Sequence, residues 1–198
     1  PMERLESPDG TTTRRTSRDV IDIMQMALRG RTQRRLCEAL DRVGVKAVGL
    51  QASDCRSVVT RWKTPVRSIV DGRTIMVRDN YAGAITDADP TLFELLLANG
   101  YVPLVCPPAI SSDGIVTNVD ADRLAARVAG SIHADSLCLL TDKPGLLEDP
   151  DDDSSLIPRL STTELPHAVK QVSGGMRLKL VAAKEALGCG AKKVVIAD

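Results

Sequence analysis

Residues 118–145 place a polar loop, a helix, a strand and a turn in a fixed order, which restricts the folds open to this chain. The loop, 118–122, carries an amide and two carboxylates, and the residues after it are apolar at helical spacing through Ile132. The apolar run 136–140 has the composition of a buried parallel strand and ends in Thr-Asp and a Pro-Gly turn. Polar side chains just beyond such a strand lie where open α/β sheets bind ligands, so this stretch predicts a ligand site.

The rest of the chain continues the alternation of helices and strands. Helical patterns are followed by short apolar runs, and the sequence therefore predicts an α/β protein with a mainly parallel sheet. The predicted helices are 19–42, interrupted at Gly30, 91–99 and 176–188, and the predicted strands are 43–50, 101–106, 136–140 and 192–196. Residues 57–85 predict a β-hairpin region with its turn at Asp71-Gly72, and Ser161 to Glu164 predict a capping box at a helix start.

Composition restricts the compartment and the core. Aromatic residues make up 2% of the chain, so the core must be built from Leu, Val, Ile and Ala. The five cysteines form no CxxC pair, which predicts reduced thiols in a cytosolic protein, with Cys106 and Cys138 in the core. No apolar stretch approaches the roughly 20 residues of a membrane span, and no secretory signal is visible at Pro1.

Charge is unevenly distributed although the formal net charge is zero. Residues 1–86 hold 16 Lys or Arg and 10 Asp or Glu, and residues 87–198 hold 10 and 16. The segment 56–78 is the most basic, with six cationic residues against Asp71 alone. A basic surface of this kind suits an acidic partner, and the alternative is an ordinary solvated surface. Nucleic acid is a poorer candidate, because the cationic residues lack interleaved aromatics beyond Trp62 and Tyr81.

A Ser-Gly-Gly sequence opens the predicted helix 176–188. Glycines at 174 and 175 let the backbone approach a ligand, and the first N–H groups of a helix attract anions. Lys179 lies one turn further on, where its ammonium could stabilise a phosphoryl group during transfer. The alternative is a surface lysine on an amphipathic helix.

Asn118 and Asp122 are four residues apart at a predicted helix start, a spacing that lets both face one site. The amide could bind an acceptor, and the carboxylate could orient a lysine or hold Mg²⁺. Simple capping of the helix is the alternative for Asp122. Arg14 and Arg15 could bind a carboxylate in bidentate fashion, or lie on a disordered surface.

Taken together, these stretches resemble the amino-acid kinase superfamily, and within it the acetylglutamate kinase group. The resemblance covers essentially the whole chain. It is carried by RRTSRDVIDIMQMAL near the amino terminus, by the block 118–147 and by SGGMRLKLVAAKEAL at 173–187. RDNYAGAI and GYVPLVCPPAIS, at 78–85 and 100–111, look like the branch that phosphorylates 2-aminoadipate or glutamate attached to a small acidic amino-group carrier protein.

The resemblance implies a three-layer αβα sandwich and transfer of the γ-phosphate of ATP, with Mg²⁺, to a side-chain carboxylate. It implies that Arg14 and Asn118 bind the acceptor, that Asp122 organises the catalytic lysines and that Lys179 stabilises the transferring phosphoryl group. The residues implied to bind nucleotide are Thr141, Asp142, Lys143, Pro144, Gly145, Leu146, Leu147, Gly175 and Met176. It implies an acceptor and carrier lobe at 1–110, a nucleotide lobe at 111–198 and a homodimer through helix 19–42.

The chain departs from the family pattern in three places. We expect the family's first strand, with another phosphate-binding lysine and a Gly-Gly loop, before Pro1, and further fold-completing residues after Asp198. The chain therefore looks like a fragment that lacks both ends, and we expect such a fragment to be inactive or weakly active. Ala84 stands where the carrier-dependent branch would have lysine. An acetylglutamate kinase and a non-catalytic ligand-binding fragment are the alternatives.

Overall fold

The computed structural model describes residues 4–6, 12–70 and 73–198, with only the backbone at 4, 6, 12–14 and 70. The chain divides into two compact units, Pro1–Asp120 and Ala121–Asp198. The predicted boundary between lobes, after residue 110, falls ten residues before this division.

The first unit contains the long amino-terminal helix and most of the strands. Its helices are α1 (Arg18–Gln25), a π-helical segment (Met26–Gln33), α2 (Arg34–Arg42) and α3 (Thr91–Ala98). Its strands are β1 (Arg4–Glu6), β2 (Thr12–Arg14), β3 (Ala47–Gln51), β4 (Val58–Trp62), β5 (Val66–Val70), β6 (Arg73–Val77), β7 (Gly83–Ala88), β8 (Val102–Cys106), β9 (Ala109–Ser111) and β10 (Val116–Thr117).

The strands of the first unit form a parallel pair and two four-stranded sheets. β3 pairs with β8 in parallel, and α3 leads the chain back into β8. One sheet has the order β2-β1-β5-β6 with antiparallel neighbours, and the other has the order β10-β9-β4-β7 with β4 and β9 parallel. The predicted hairpin is confirmed by the β5–β6 register, whereas its turn, Asp71-Gly72, lies outside the described residues. Fully buried apolar residues of this unit include Ile21, Ala52, Val58 and Phe93.

The predicted helix 19–42 is confirmed, but Gly30 does not interrupt it. The helix continues through Gly30 as a π-helical segment and returns to α-helix at Arg34. Gln33, at the end of that segment, is buried and donates from Nε2 to the carbonyls of Leu50 (2.7 Å) and Leu104 (2.6 Å). An inward amide thus ties the helix to β3 and β8, a contact that the predicted apolar pattern did not include.

The second unit consists of two helix–strand pairs and one short helix. Its elements are α4 (Ala121–Ser131), β11 (Leu137–Leu140), α5 (Leu165–Gln171), α6 (Gly174–Cys189) and β12 (Val194–Ala197). β11 and β12 are parallel, with Leu137 opposite Val194. The α4–α6 contact is built from alanines, which lets the helices lie close together. The predicted α/β class is confirmed in both units.

The predicted burial of cysteines is only partly correct. Cys106 is half-buried in β8, but Cys138 is exposed in β11, where Leu137 and Leu139 are buried. Alternate side chains of a strand point to opposite faces, and the buried pair packs with the alanines of α4 and α6. In the described part of the chain, no helix has the length and apolar character needed to cross a bilayer.

Candidate active site

The predicted catalytic pair, Asp122 and Lys179, is brought together in the second unit. Asp122 is the second residue of α4, and Lys179 lies in the second turn of α6. The Lys179 ammonium is 3.2 Å from each carboxylate oxygen of Asp122, and the two side chains are 15% and 26% exposed. The amphipathic-helix alternative for Lys179 predicted a solvated side chain, whereas the structure holds this ammonium in a largely buried ion pair.

A second ion pair joins the same helices. Arg123 donates from two nitrogens to the two carboxylate oxygens of Glu185, as a bidentate pair. Asp122 and Arg123 are adjacent on α4, and their partners lie six residues apart on α6. Because the charges alternate along both helices, this alignment pairs opposite charges. The two ion pairs therefore link α4 to α6 at two points.

A cavity of about 640 Å³ lies in the second unit, a volume typical of small-molecule sites. Its wall is mainly apolar and comes from the turn after β11, the loop after it, α5 and the start of α6. The predicted nucleotide-binding residues that line it are Lys143, Gly145, Leu146, Leu147 and Met176. Further lining residues that the sequence did not suggest include Ile157, Ala168, Gln171 and Val172.

The other predicted nucleotide residues lie elsewhere. Thr141, Asp142, Pro144 and Gly175 do not line the cavity, although the first three belong to the same turn. The Thr141 amide continues the strand pairing by donating to Ala197, and its hydroxyl donates to the Asp142 carboxylate at 3.2 Å. Neither Asp122 nor Lys179 lines the cavity.

The start of α6 opens onto this cavity. Ser173 caps the helix in an extended conformation and lines the cavity with Met176. Gly174 begins the helix at φ +59°, a conformation that glycine adopts without strain. The first N–H groups of a helix attract anions, so phosphate groups suit this end of the cavity. Lys143 is paired with Asp153 at 3.0 Å, and this partner raises the pKa of Lys143.

The predicted acceptor residues lie in the first unit. Asn118 follows β10, and its backbone forms a β-bridge with the segment 81–83. The Asn118 amide donates to the carbonyl of Tyr81, and the Gly83 amide donates to the carbonyl of Asn118. Its side-chain Nδ2 donates to the Thr16 hydroxyl at 3.4 Å. Arg14 ends β2, and its side chain lies outside the described residues.

Arg15 is held by Asp79 and is therefore not a disordered surface residue. Its guanidinium donates from Nε to the Asp79 carbonyl (3.1 Å) and from Nη2 to the carboxylate (3.0 Å). Arg15 thus uses two of its donors on one residue of the same unit, one on the backbone and one on the side chain of Asp79.

The basic segment 56–78 forms β4, β5 and β6. Arg61, Lys63 and Arg67 are exposed around a shallow concavity of about 490 Å³ that also includes Trp62. Trp62 stacks on Tyr81, with ring centroids 5.3 Å apart, and Arg56 donates to the carbonyls of Ser111 and Ser112. The arrangement displays positive charge on a fixed β-scaffold.

The described residues contain no group of three His, Cys, Asp or Glu side chains that could hold a metal ion. The Asp122 carboxylate is already engaged by Lys179. Burial raises the pKa of the Cys106 thiol, which keeps it in the unreactive protonated form.

Comparison with known proteins gives consistent matches. A model of the amino acid kinase family matches residues 2–198. The chain is 37% identical over 198 residues to a LysW-aminoadipate kinase of Deinococcus radiodurans, across all of this chain and 68% of that protein. A protein of the same name from Thermus thermophilus is 34% identical, across all of this chain and 74% of its own. An acetylglutamate kinase of Methanopyrus kandleri is 37% identical over 185 residues, across 92% of this chain and 73% of its own.

Solved structures share the fold. A Streptococcus mutans protein has a TM-score of 0.78 at 23% identity, across all of this chain and 74% of its own. The N-acetylglutamate synthase of Neisseria gonorrhoeae, in complex with coenzyme A and N-acetyl-glutamate, has a TM-score of 0.74 at 25% identity, across 93% of this chain and 40% of its own. A carbamate kinase of Giardia has a TM-score of 0.60 at 15% identity, across 89% and 65%.

Proposed function

The chain belongs to the amino acid kinase family, and on that premise we propose that it transfers a phosphoryl group from ATP to the side-chain carboxylate of 2-aminoadipate or glutamate borne by a small acidic carrier protein. The product is an acyl phosphate on a pathway of lysine or arginine biosynthesis. The observation that carries the proposal is the largely buried Asp122–Lys179 pair, in a unit that also holds a cavity of nucleotide size.

Lys179 is the group proposed to stabilise the transferring phosphoryl group. Its ammonium is a compact charge, and hydrogen bonds to both carboxylate oxygens of Asp122 hold it in position. Preorganised charge of this kind commonly contributes on the order of 100–1000-fold to a rate. Asp122 is the positioning residue for Lys179 and does not itself react.

The cavity is the proposed site of the nucleotide. Its apolar wall, which includes Leu147, Ala168 and Met176, suits the faces of a purine ring. The start of α6 supplies backbone N–H groups for the phosphates. Because the described residues contain no three-carboxylate cluster, Mg²⁺ would be held chiefly by the phosphate oxygens. Bound there, the ion would neutralise phosphate charge.

The proposed acceptor contacts lie in the residue range 1–120. The Arg14 guanidinium would bind a carboxylate of the acceptor, and the Asn118 amide would bind a second polar group. Two of the matched relatives are named LysW-aminoadipate kinase, and a third is named acetylglutamate kinase. These two activities differ in the acceptor of the phosphoryl group.

The carrier protein is proposed to dock on the basic segment 56–78. Arg61, Lys63 and Arg67 present exposed positive charge around one concavity, which complements an acidic surface. Rim charges of this kind mainly set the association rate and its dependence on salt.

A coupled assay of ADP release tests the proposal. The acceptors are carrier-bound aminoadipate, carrier-bound glutamate and free N-acetylglutamate. We expect turnover with a carrier-bound acceptor. The rate of ADP release should fall as salt is added and when the charges of Arg61 and Arg67 are reversed. Turnover of free N-acetylglutamate alone, insensitive to those reversals, would identify an acetylglutamate kinase. Binding of ATP by calorimetry without turnover of any acceptor would indicate a non-catalytic ligand-binding protein.

A homodimer through helix 18–42 is also proposed. Ile23, Met26 and Leu36 are 60%, 67% and 45% exposed, while Gln33 of the same helix is buried. Large apolar side chains that are exposed on a helix are candidates for burial against a second copy of the chain. Sedimentation should show a dimer at micromolar concentration that Met26→Asp converts to monomer.

A further inference from the structure

Thr16 lies at the centre of a set of hydrogen bonds in the first unit. Its side chain is almost fully buried, at 3% exposure. Its amide donates to Oδ1 of Asn80 (3.1 Å), and its carbonyl accepts from the Tyr81 amide (2.7 Å). Its hydroxyl oxygen accepts from Nδ2 of Asn118 at 3.4 Å. One residue therefore joins the start of the long helix to two distant parts of the unit.

The Asn118 backbone is held independently of Thr16. Its amide donates to Tyr81 at 2.7 Å, and its carbonyl accepts from Gly83 at 2.8 Å. Within the described part of the chain, the side-chain amide of Asn118 donates to the Thr16 hydroxyl, and this bond restrains its rotamer. An amide has two N–H groups and a carbonyl oxygen, so the bond to Thr16 orients the group and leaves it capacity for a ligand.

Asn80, the partner of the Thr16 amide, is itself fixed. It is 3% exposed, and its carbonyl accepts from Nε1 of Trp62 at 2.9 Å. Thr16 therefore sits on a rigid support and does not adjust freely to the side chain of Asn118. Thr16 also lies two residues after Arg14, so its placement bears on both proposed acceptor contacts.

We infer that Thr16 is a positioning residue for the acceptor, acting through the side-chain amide of Asn118. The inference rests on the proposed function, in which Asn118 binds the acceptor. Thr16 does not touch the reacting atoms; it holds the amide in the rotamer that the acceptor needs. Replacing its hydroxyl with a methyl group of similar size would leave the Asn118 backbone in place but release its side chain.

Kinetics of four variants test this role. Thr16→Val should raise the KM for the acceptor about three- to tenfold, the cost of one neutral hydrogen bond, with the KM for ATP unchanged. Thr16→Ser, which keeps the hydroxyl, should behave as the wild type. Asn118→Ala should raise the same KM, and adding Thr16→Val to it should have no further effect, because the two residues act as one unit.

Two kinetic outcomes would overturn the inference. One is an additive loss in the double variant, which would mean that Thr16 acts without Asn118. The other is an equal rise in the KM for ATP, which would indicate a general structural defect. Thr16→Ala removes the same hydroxyl and replaces the valine variant if that variant does not fold.

A readout without turnover separates this inference from the proposed function. The side-chain ¹H–¹⁵N signals of Asn118, identified by their loss in Asn118→Ala, should shift in Thr16→Val and stay in place in Thr16→Ser. Unchanged signals in Thr16→Val would refute the positioning role even if the wild type is an active kinase. Wild-type protein that turns over no acceptor would refute the proposed function, and the signals would still show whether Thr16 orients the side chain of Asn118.

Discussion

The Lys179 ammonium lies equidistant from the two carboxylate oxygens of Asp122, at 3.2 Å from each. The two residues are 57 positions apart in the chain and are joined by the packing of α4 against α6. A cation held in this way keeps its position but has donor capacity left, since an ammonium has three N–H groups.

Replacing Lys179 tests its proposed role in phosphoryl transfer. Lys179→Met should lower kcat on the order of 100–1000-fold, with a small effect on the KM for either substrate, because the interaction strengthens only in the transition state. Steady-state kinetics by ADP release would measure both parameters.

Lys192 provides a matched control for Lys179. It also pairs with an aspartate, Asp135 at 2.7 Å, but the two side chains are 71% and 88% exposed. Lys192→Met should leave kcat within a factor of two of the wild type, as expected for a surface ion pair. Equal losses in the two variants would mean that Lys179 has no special part in the reaction.

Gly130, in α4, packs tightly against the end of α6 at Cys189. A Cβ at this position would lie 2.4 Å from Cβ of Cys189 and 3.1 Å from its carbonyl oxygen. Gly130→Ala should therefore destabilise the protein by roughly 1–3 kcal/mol, as overpacking does, despite the better helix propensity of alanine. Urea unfolding followed by circular dichroism would measure the change in the free energy of unfolding.

Gly188, in α6, is the control for this substitution. Beyond its own helix turn, no atom of the described residues lies within 4 Å of a Cβ built there, so Gly188→Ala should stabilise the protein by about 0.5–1 kcal/mol. Destabilisation by both substitutions, to the same extent, would contradict the packing explanation for Gly130.

Sequence patterns predicted the elements of the second unit well because their signals are local. The helical spacing after Asp122 and the apolar run ending at Leu140 correspond to α4 and β11. The partners of Asp122 and Arg123 could not be read from the sequence, since each lies about 60 residues away and is selected by helix packing. The resemblance to a kinase family nevertheless named both residues of the Asp122–Lys179 ion pair.

The cavity wall and the long helix show what local patterns miss. Ile157, Ala168 and Val172 carry no distinctive motif and become one surface only when α5 and the preceding loop fold against the turn after β11. In the long helix, the π-helical segment and the inward side chain of Gln33 depend on carbonyls of β3 and β8, which no helical periodicity encodes.

Cys55 adopts a backbone conformation that favours glycine. Its φ is +52°, in the turn between β3 and β4. A non-glycine residue in this conformation is strained by about 1–2 kcal/mol. Glycine relieves the strain, but it loses more backbone entropy on folding, which offsets part of the stabilisation. Cys55→Gly should therefore stabilise the protein by roughly 0.5–1 kcal/mol, whereas Cys55→Ala should leave the free energy of unfolding unchanged. Thermal unfolding of both variants would show whether backbone strain or loss of the thiol is responsible.

Glu164 should give the protein an acid-sensitive contribution to stability. Its carboxylate accepts from the hydroxyl of Ser161 (2.5 Å) and from the Ser161 amide (2.9 Å), in the predicted capping box just before α5. These bonds lower the pKa of Glu164 below its ordinary value of 4.5. Because the folded pKa is the lower one, the contribution is complete above about pH 4.5 and is lost as the pH falls through the folded pKa.

Comparison of the wild type with Glu164→Gln between pH 7 and pH 3 would measure this contribution. The difference in their free energies of unfolding should be constant at neutral pH and should shrink below about pH 4.5, where the wild-type carboxylate takes up a proton. Ser161→Ala should raise the pKa of Glu164 in an NMR titration, because it removes the hydroxyl that contributes most to the shift. A difference that grows as the pH falls would reverse the sign of the linkage and contradict the capping-box interaction.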